Sequence, residues 1–120
     1  MSYTLTACND IAEIGQEAWD ACANPVSSHY LPEQVQFDPF ISYSFLHAIE
    51  KSRSGVAETG WAPYHLLLED DVGKAAGVVP MYLKSHSQGE YVFDYSWADA
   101  FERAGGKYYP KLQIAVPFTP

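Results

Sequence analysis

Two apolar runs separated by a short acidic turn constrain the fold of this chain more than any other feature. Residues 64–69 (YHLLLE) and 75–84 (AAGVVPMYLK) favour strands, and the DDVGK segment between them favours a tight turn. The sequence therefore predicts an antiparallel hairpin. Pro80 interrupts the second run, and because proline has no backbone N–H to donate, we expect a bulge or a sheet edge there.

Helices are predicted on the N-terminal side of this hairpin. Asp10 suits an N-cap with Glu13 three residues later, and the first helix should end near residues 24–25. Asp38 followed by Pro39 predicts the start of a second helix, since an aspartate caps free N–H groups and proline fits the first helical position.

A third helix should begin at Ser96 and end at Gly105, which suits a left-handed C-cap. Three apolar stripes are expected to face the core: Ile11, Ile14, Ala18 and Cys22; Ile41, Phe45, Ala48 and Ile49; Trp97, Ala100, Phe101 and Ala104. Further strands are predicted at 3–8, 90–94 and 111–116. The fold class is therefore α/β (α+β), with a mainly antiparallel sheet of four or five strands and about three helices.

Length and charge narrow the class of protein. The 120 residues suffice for one domain, 1–120, with a core of its own. The net charge of −8, with only seven scattered Lys and Arg residues, argues against a nucleic-acid partner, because phosphate binding needs clustered cations. No run of apolar residues suits a membrane span and no signal peptide begins the sequence, so we expect a cytoplasmic protein.

The segment 84–120 concentrates polar and aromatic side chains, which is typical of a pocket wall. It contains KSHSQGEYVFD, the third predicted helix and YYPKLQIAVPFTP. Together with DPFISYSFLHAIE, TGWAPYHLLLEDD and PMYLK earlier in the chain, these strings resemble the N-terminal part of the FemAB-like predicted N-acyltransferases, a subgroup of the GNAT superfamily. The resemblance runs from about residue 38 to residue 120.

The resemblance has implications for completeness and activity. Members of the family are several times longer, so this chain looks like an N-terminal fragment, inactive by itself. The implied activity is transfer of an acyl group to an amine-bearing small molecule or peptide acceptor, with acyl-CoA or another acyl donor as co-substrate. No glycine-rich string of the type that holds the CoA pyrophosphate occurs here, so no cofactor is expected in this part, and the donor site should lie elsewhere.

Glu90 and His86 are the candidate catalytic residues, because acyl transfer to an amine needs a group that removes a proton from the attacking nitrogen. They lie four residues apart around a glycine-containing turn. Alternatives remain open for both: Glu90 could form a salt bridge with Lys84 or Lys111, and His86 could be a turn histidine bonded to backbone.

The predicted substrate-binding residues are Tyr91, Asp94, Trp97, Tyr109 and Lys111. Asp94 has a simpler alternative role, the capping of the third helix. A metal site is not expected, because His29, His47, His65 and His86 lack ligand spacing. A serine nucleophile is also disfavoured, since no GxSxG motif occurs.

The leading hypothesis is thus an acyltransferase domain that forms the acceptor side of a cleft. The alternative is a non-catalytic binding or dimerisation module in which the aromatic side chains face a partner. A flat, exposed aromatic patch would favour the alternative. We further expect self-association through the C-terminal strand, where Leu112, Ile114, Val116 and Phe118 should be exposed.

Overall fold

The structure is a computed structural model that describes residues 2–25, 37–90 and 93–117. Its α-helices are α1 (Gln16–Ala23), α2 (Tyr43–Lys51) and α3 (Tyr95–Arg103). Its strands are β1 (Thr4–Cys8), β2 (Trp61–Pro63), β3 (His65–Glu69), β4 (Ala75–Val79), β5 (Met81–Lys84) and β6 (Lys111–Ile114). The mixed α/β class with antiparallel strands and three helices is confirmed for these ranges.

The predicted hairpin is confirmed, and it is longer than expected. Strands β3 and β4 pair antiparallel around the turn, in which Asp70 Oδ1 accepts hydrogen bonds from two backbone N–H groups. Pairing continues past Pro80 as β2 with β5, and Pro63 opposes Tyr82 in the same register in which Leu66 opposes Val79. One hairpin therefore spans residues 61–84. Its second strand is interrupted at Pro80, and its register shifts by one residue between Leu68 and Glu69.

The strands divide into two sheets of three rather than the single sheet predicted. Strand β1 pairs with the half of the hairpin next to the turn, which gives the strand order β1-β3-β4. Strand β6 pairs with the half away from the turn, which gives the order β2-β5-β6. The division falls at Pro80, which cannot donate to a ladder. Two different strands thus extend the two ends of the same hairpin.

His65 lies opposite this break and links the two sheets through its side chain. Met81 N–H donates to Nδ1 of His65 at 3.1 Å, so the proton of the neutral ring is on Nε2, which lies 2.9 Å from Glu50 Oε2. The other carboxylate oxygen of Glu50 accepts the Ile11 N–H at 3.0 Å. The ring of His65, fully buried, therefore joins β3, β5 and α2.

Both N-terminal helices begin one turn later than predicted. Asp10 caps a 3₁₀ turn, Ile11–Glu13, and Gly15 at φ 88° separates this turn from α1. Asp38 likewise caps a 3₁₀ turn, and the N-cap of α2 is Ser42, whose hydroxyl accepts the Phe45 N–H. The predicted capping residues thus cap short turns that precede the helices.

The core contains two large side chains, Trp19 and Leu46, that the predicted stripes missed beside Ile11, which they included. Ile11, Trp19 and Leu46 are fully buried together, and Val78 of β4 packs against them. Trp19 also donates from Nε1 to the Ile41 carbonyl at 2.8 Å. Cys22, predicted to be buried, is partly exposed.

The C-terminal elements follow the prediction less closely. Helix α3 begins at Tyr95, after Asp94, and Gly105 takes the expected left-handed conformation at its end. Its predicted apolar face is exposed: Trp97 is 75% and Phe101 51% accessible. In the predicted strand 90–94, the described residues at positions 90, 93 and 94 are not in a strand.

Several predictions fall on residues outside the described ranges, namely those for His29, Tyr91 and Phe118. Within the described ranges, the helices are too short and polar to cross a membrane.

Candidate functional site

The ends of β5 and β6 bring a set of polar side chains together beside the 85–90 turn. Lys84 and Lys111 are register partners, and the turn after Lys84 returns Glu90 to the same place. We call this set the Glu90 cluster. Its members are Lys84, Ser87, Glu90, Asp94, Tyr108, Tyr109 and Lys111.

Glu90 lies between two lysines. Lys111 Nζ is 2.8 Å from Oε1 and 3.1 Å from Oε2, and Lys84 Nζ is 3.7 Å from Oε1. The carboxylate is almost completely buried, so both positive charges act on it at close range. This geometry is that of the salt bridge that the sequence left open as an alternative.

Asp94 is not the helix cap that its position suggested. It occupies the N-cap of α3 but makes no side-chain capping hydrogen bond. Its Oδ2 instead accepts from Lys111 Nζ and from the Tyr108 hydroxyl, both at 2.5 Å. Burial alone would raise the pKa of Asp94, but hydrogen bonds from Lys111, Ser87 and Tyr108 outweigh it and bring that pKa to about 2.

Ser87 is a member of the cluster that the sequence did not single out. It is fully buried, its hydroxyl contacts the Tyr109 hydroxyl, and Lys111 Nζ lies 3.2 Å from its Oγ. Burial lowers the pKa of Lys111, but hydrogen bonds with Asp94 and Glu90 outweigh burial, so the pKa of Lys111 is raised overall. A lysine that keeps its proton cannot activate Ser87 as a nucleophile.

Lys84 is fully buried, and its counter-ion Glu90 lies farther from it than from Lys111, at 3.7 Å. Its Nζ donates to the Gln88 carbonyl at 2.7 Å and lies 3.4 Å from the centroid of the Trp61 ring. Burial lowers the pKa of Lys84 to about 8, against the opposing charge of Glu90. Lys84 can therefore lose its proton in a pH range where Lys111 keeps its own.

Comparison with protein-family models finds a match over most of the chain. Residues 10–120 match the FemAB-like family, which is described as peptidoglycan biosynthesis/recognition. The chain belongs to this FemAB-like family. Searches of curated proteins and of solved structures found no match.

His86 of this FemAB-like chain lies apart from the cluster in its hydrogen bonding. Its Nε2 lies 2.8 Å from the Thr59 carbonyl, and its Nδ1 accepts the Gln88 N–H at 3.0 Å. The ring packs on Gly60 so closely that a Cβ at Gly60 would come 2.1 Å from Nε2. With both nitrogens bonded to backbone, His86 has the geometry of the turn histidine left open by the sequence.

The predicted substrate-binding residues divide between the cluster and the surface. Asp94, Tyr109 and Lys111 belong to the Glu90 cluster, whereas Trp97 points to solvent. Phe93 and Tyr95 stack at 5.8 Å and are also more than half exposed. The FemAB-like chain thus presents an aromatic surface, Phe93, Tyr95, Trp97 and Phe101, beside a buried charged cluster.

The pair of His65 and Glu50 was missed by sequence reasoning. The two residues are 15 positions apart on different elements, and no spacing rule joins them. His65 could have been noticed as a polar residue directly before an apolar run. Because the ring is fully buried and both nitrogens are bonded, its position is that of a structural link.

Proposed function

We propose that this FemAB-like chain forms the acceptor side of the cleft of an N-acyltransferase, in which an acyl group passes to an amine. The observation that carries the proposal is the buried Glu90 cluster, found in a chain whose family is linked to peptidoglycan biosynthesis. Buried, hydrogen-bonded carboxylates beside lysines are uncommon in a structural core, and titratable groups of this kind concentrate at functional sites.

In the proposed reaction, Glu90 is the base and Asp94 and Lys111 orient the acceptor. The amine nitrogen attacks the acyl carbon, a C–N bond forms, and the bond from that carbon to the donor's leaving group breaks. Glu90 takes the proton from the attacking nitrogen and returns it to the leaving group. Lys111 holds Glu90 through both oxygens, so the acceptor has to displace Lys111 from one of them.

The donor belongs to the same proposal. Acyl-CoA, or another acyl donor, would be held by residues other than those of the Glu90 cluster. A relationship to the GNAT superfamily and a cytoplasmic location are part of the same proposal. The acceptor would be a small molecule or peptide with a primary amine, and an overall charge of −8 favours the approach of such a cation.

Transfer of a radiolabelled acyl group from acyl-CoA to a panel of primary amines, by the natural gene product that contains these residues, tests the proposal. Glu90→Gln should lower turnover by about 100-fold or more, as is typical for loss of a general base. The control is Glu58→Gln, which changes an exposed glutamate paired with Arg53. Normal turnover in Glu90→Gln would refute the assignment, and unfolding measurements on the same samples separate lost catalysis from lost stability.

A second candidate function is a non-catalytic binding module. The exposed aromatic surface favours it, since Phe93, Tyr95, Trp97 and Phe101 are each more than half accessible. Co-sedimentation with insoluble peptidoglycan tests it. Trp97→Ala should reduce binding, and Val72→Ala, at an exposed position in the hairpin turn, should not. Binding that is equal in both variants would exclude the aromatic surface.

A further inference from the structure

The carbonyl oxygen of Gln88 is held by two buried donors. Lys84 Nζ donates to it at 2.7 Å, and Trp61 Nε1 donates to it at 3.1 Å. Both side chains are essentially inaccessible to solvent. Since the Lys84 ammonium also lies over the Trp61 ring, the two donors are fixed against each other as well as against the carbonyl.

This carbonyl determines where Glu90 is placed. Gln88 is followed by Gly89, which has φ 78°, and then by Glu90. A glycine with positive φ turns the chain sharply, so the orientation of the preceding peptide group sets the direction in which the chain reaches Glu90. Lys84 thus acts on Glu90 twice, through the turn and through its charge at 3.7 Å.

The protonation of Lys84 is controlled by its burial and by the charged groups around it. Glu90 and Asp94 favour its protonated form, while burial and the nearby Lys111 oppose it. Tyr82 of β5 packs its ring against that of Trp61 and adds a buried hydroxyl. Burial raises the pKa of Tyr82, so the hydroxyl stays neutral at ordinary pH. Burial prevails, and the pKa of Lys84 falls to about 8.

We propose that Lys84 is a positioning residue whose charge, acting through Trp61 and the Gln88 carbonyl, holds Glu90 in place. When Lys84 loses its proton, the attraction to the Trp61 ring and the charge-assisted part of the hydrogen bond are lost. Glu90 then keeps Lys111 as its cation and moves away from Lys84. The effect on acyl transfer depends on the proposed function, whereas the movement of the turn does not.

NMR on the chain without substrate tests the proposal. The probes are the carbon-bound ring protons of Trp61, which do not exchange with water at alkaline pH, and the ¹³C-labelled carboxylate of Glu90. Both signals are followed from about pH 6 to about pH 10, which brackets the range between histidine and lysine titration. Trp61→Phe assigns the tryptophan signals against those of Trp19 and Trp97.

Both signals should shift together with one midpoint near pH 8. In Lys84→Met the shared transition should be absent, and in Lys84→Arg it should be absent while the low-pH positions of both signals are kept. Lys107→Met, at an exposed lysine, should titrate like the unchanged chain. A transition that persists in Lys84→Met, or a Trp61 transition that the Glu90 signal does not follow, would overturn the proposal. Neither outcome depends on whether the chain takes part in acyl transfer.

Discussion

Lys111 and Asp94 form a direct ion pair, with the lysine Nζ 2.5 Å from Oδ2 of the carboxylate. Lys111 begins β6 and Asp94 immediately precedes α3, so the pair ties the last strand to the start of the last helix. The Tyr108 hydroxyl donates to the same oxygen. The charges of the cluster therefore also stabilise the C-terminal part of the fold.

Asp94→Asn should lower the free energy of unfolding at pH 7 by about 2 kcal/mol, because its pKa is about 2 in the fold and ordinarily 3.8. A lowered pKa stabilises the fold above the ordinary value, and this contribution is lost as the pH falls through about 2. Urea titrations at several pH values measure it. Asp99→Asn, which breaks an exposed pair with Arg103, is the control and should cost less than about 1 kcal/mol. Equal losses in the two variants would contradict the role of Asp94.

The free energy of unfolding should contain a component that rises between about pH 8 and 10.5, and Lys84→Met should remove it. The lysine pKa is 10.5 ordinarily and about 8 in the fold, so in this range the unfolded chain binds more protons than the folded chain. Stability therefore increases with pH. The free energy of unfolding is measured against pH for the unchanged chain and for Lys84→Met, and the two curves are subtracted. The contribution of tyrosine titration is common to both chains and cancels in the difference. The exposed Lys107→Met serves as reference, and a flat difference would show that Lys84 keeps its proton.

Gly60→Ala should destabilise the chain more than Gly73→Ala does. Both glycines have positive φ, 84° and 82°, so both substitutions carry the same backbone strain of about 1 kcal/mol. Only at Gly60 would the new Cβ meet another group, Nε2 of His86 at 2.1 Å. Thermal denaturation of both variants isolates this contact. Adding His86→Ala to Gly60→Ala should recover part of the loss, and no recovery would show that the ring is not the obstacle.

His65→Phe should cost about 3 kcal/mol or more, since it removes the hydrogen bond that the His65 ring donates to the mostly buried Glu50 carboxylate. The Met81 N–H would also lose its acceptor at the junction of the sheets. His47→Phe is the control, because the half-buried His47 stacks on Tyr43 and phenylalanine can stack there as well. Chemical denaturation compares them, and similar costs would argue against His65 as the link.

Self-association should depend on Leu112 and Ile114, which are 56% and 64% exposed on the edge strand β6. Replacing both with lysine should give a monomer, because charges on an edge strand oppose pairing with a second copy. Light scattering at increasing concentration is the measurement. Val72→Lys changes an apolar residue of the hairpin turn that is 83% exposed and lies outside β6, and it should leave association unchanged. A monomeric unchanged chain would contradict the prediction.

The sequence predicted those elements in which local chemistry decides the structure. Asp70 and Gly73 make the hairpin turn, Gly105 ends α3, and Pro80 interrupts a strand, because each acts through its own backbone or that of near neighbours. The division into two sheets was not predicted. It depends on which strands extend the hairpin, and β1 and β6 are far from each other in sequence.

The sequence predicted several residues of the candidate site but not how their side chains are arranged. Glu90, Asp94, Tyr109 and Lys111 do meet, since the turn and β6 return the chain to one place. Periodicity could not tell that Asp94 turns away from the helix it precedes, or that the α3 aromatics point to solvent. The position of the Asp94 carboxylate depends on a long-range contact with Lys111, which lies 17 residues away in the sequence.

The register that the β2–β5 ladder shares with the β3–β4 ladder has a consequence for how this chain folds. Once the turn at Asp70 closes, pairing can extend from Glu69 toward Trp61 without a new loop closure, so the chain loses that entropy once for both sheets. Zipping of this local kind is fast compared with the docking of distant strands. The amides of β2 and β4 should therefore become protected from hydrogen exchange in the same kinetic phase, with β1 and β6 later.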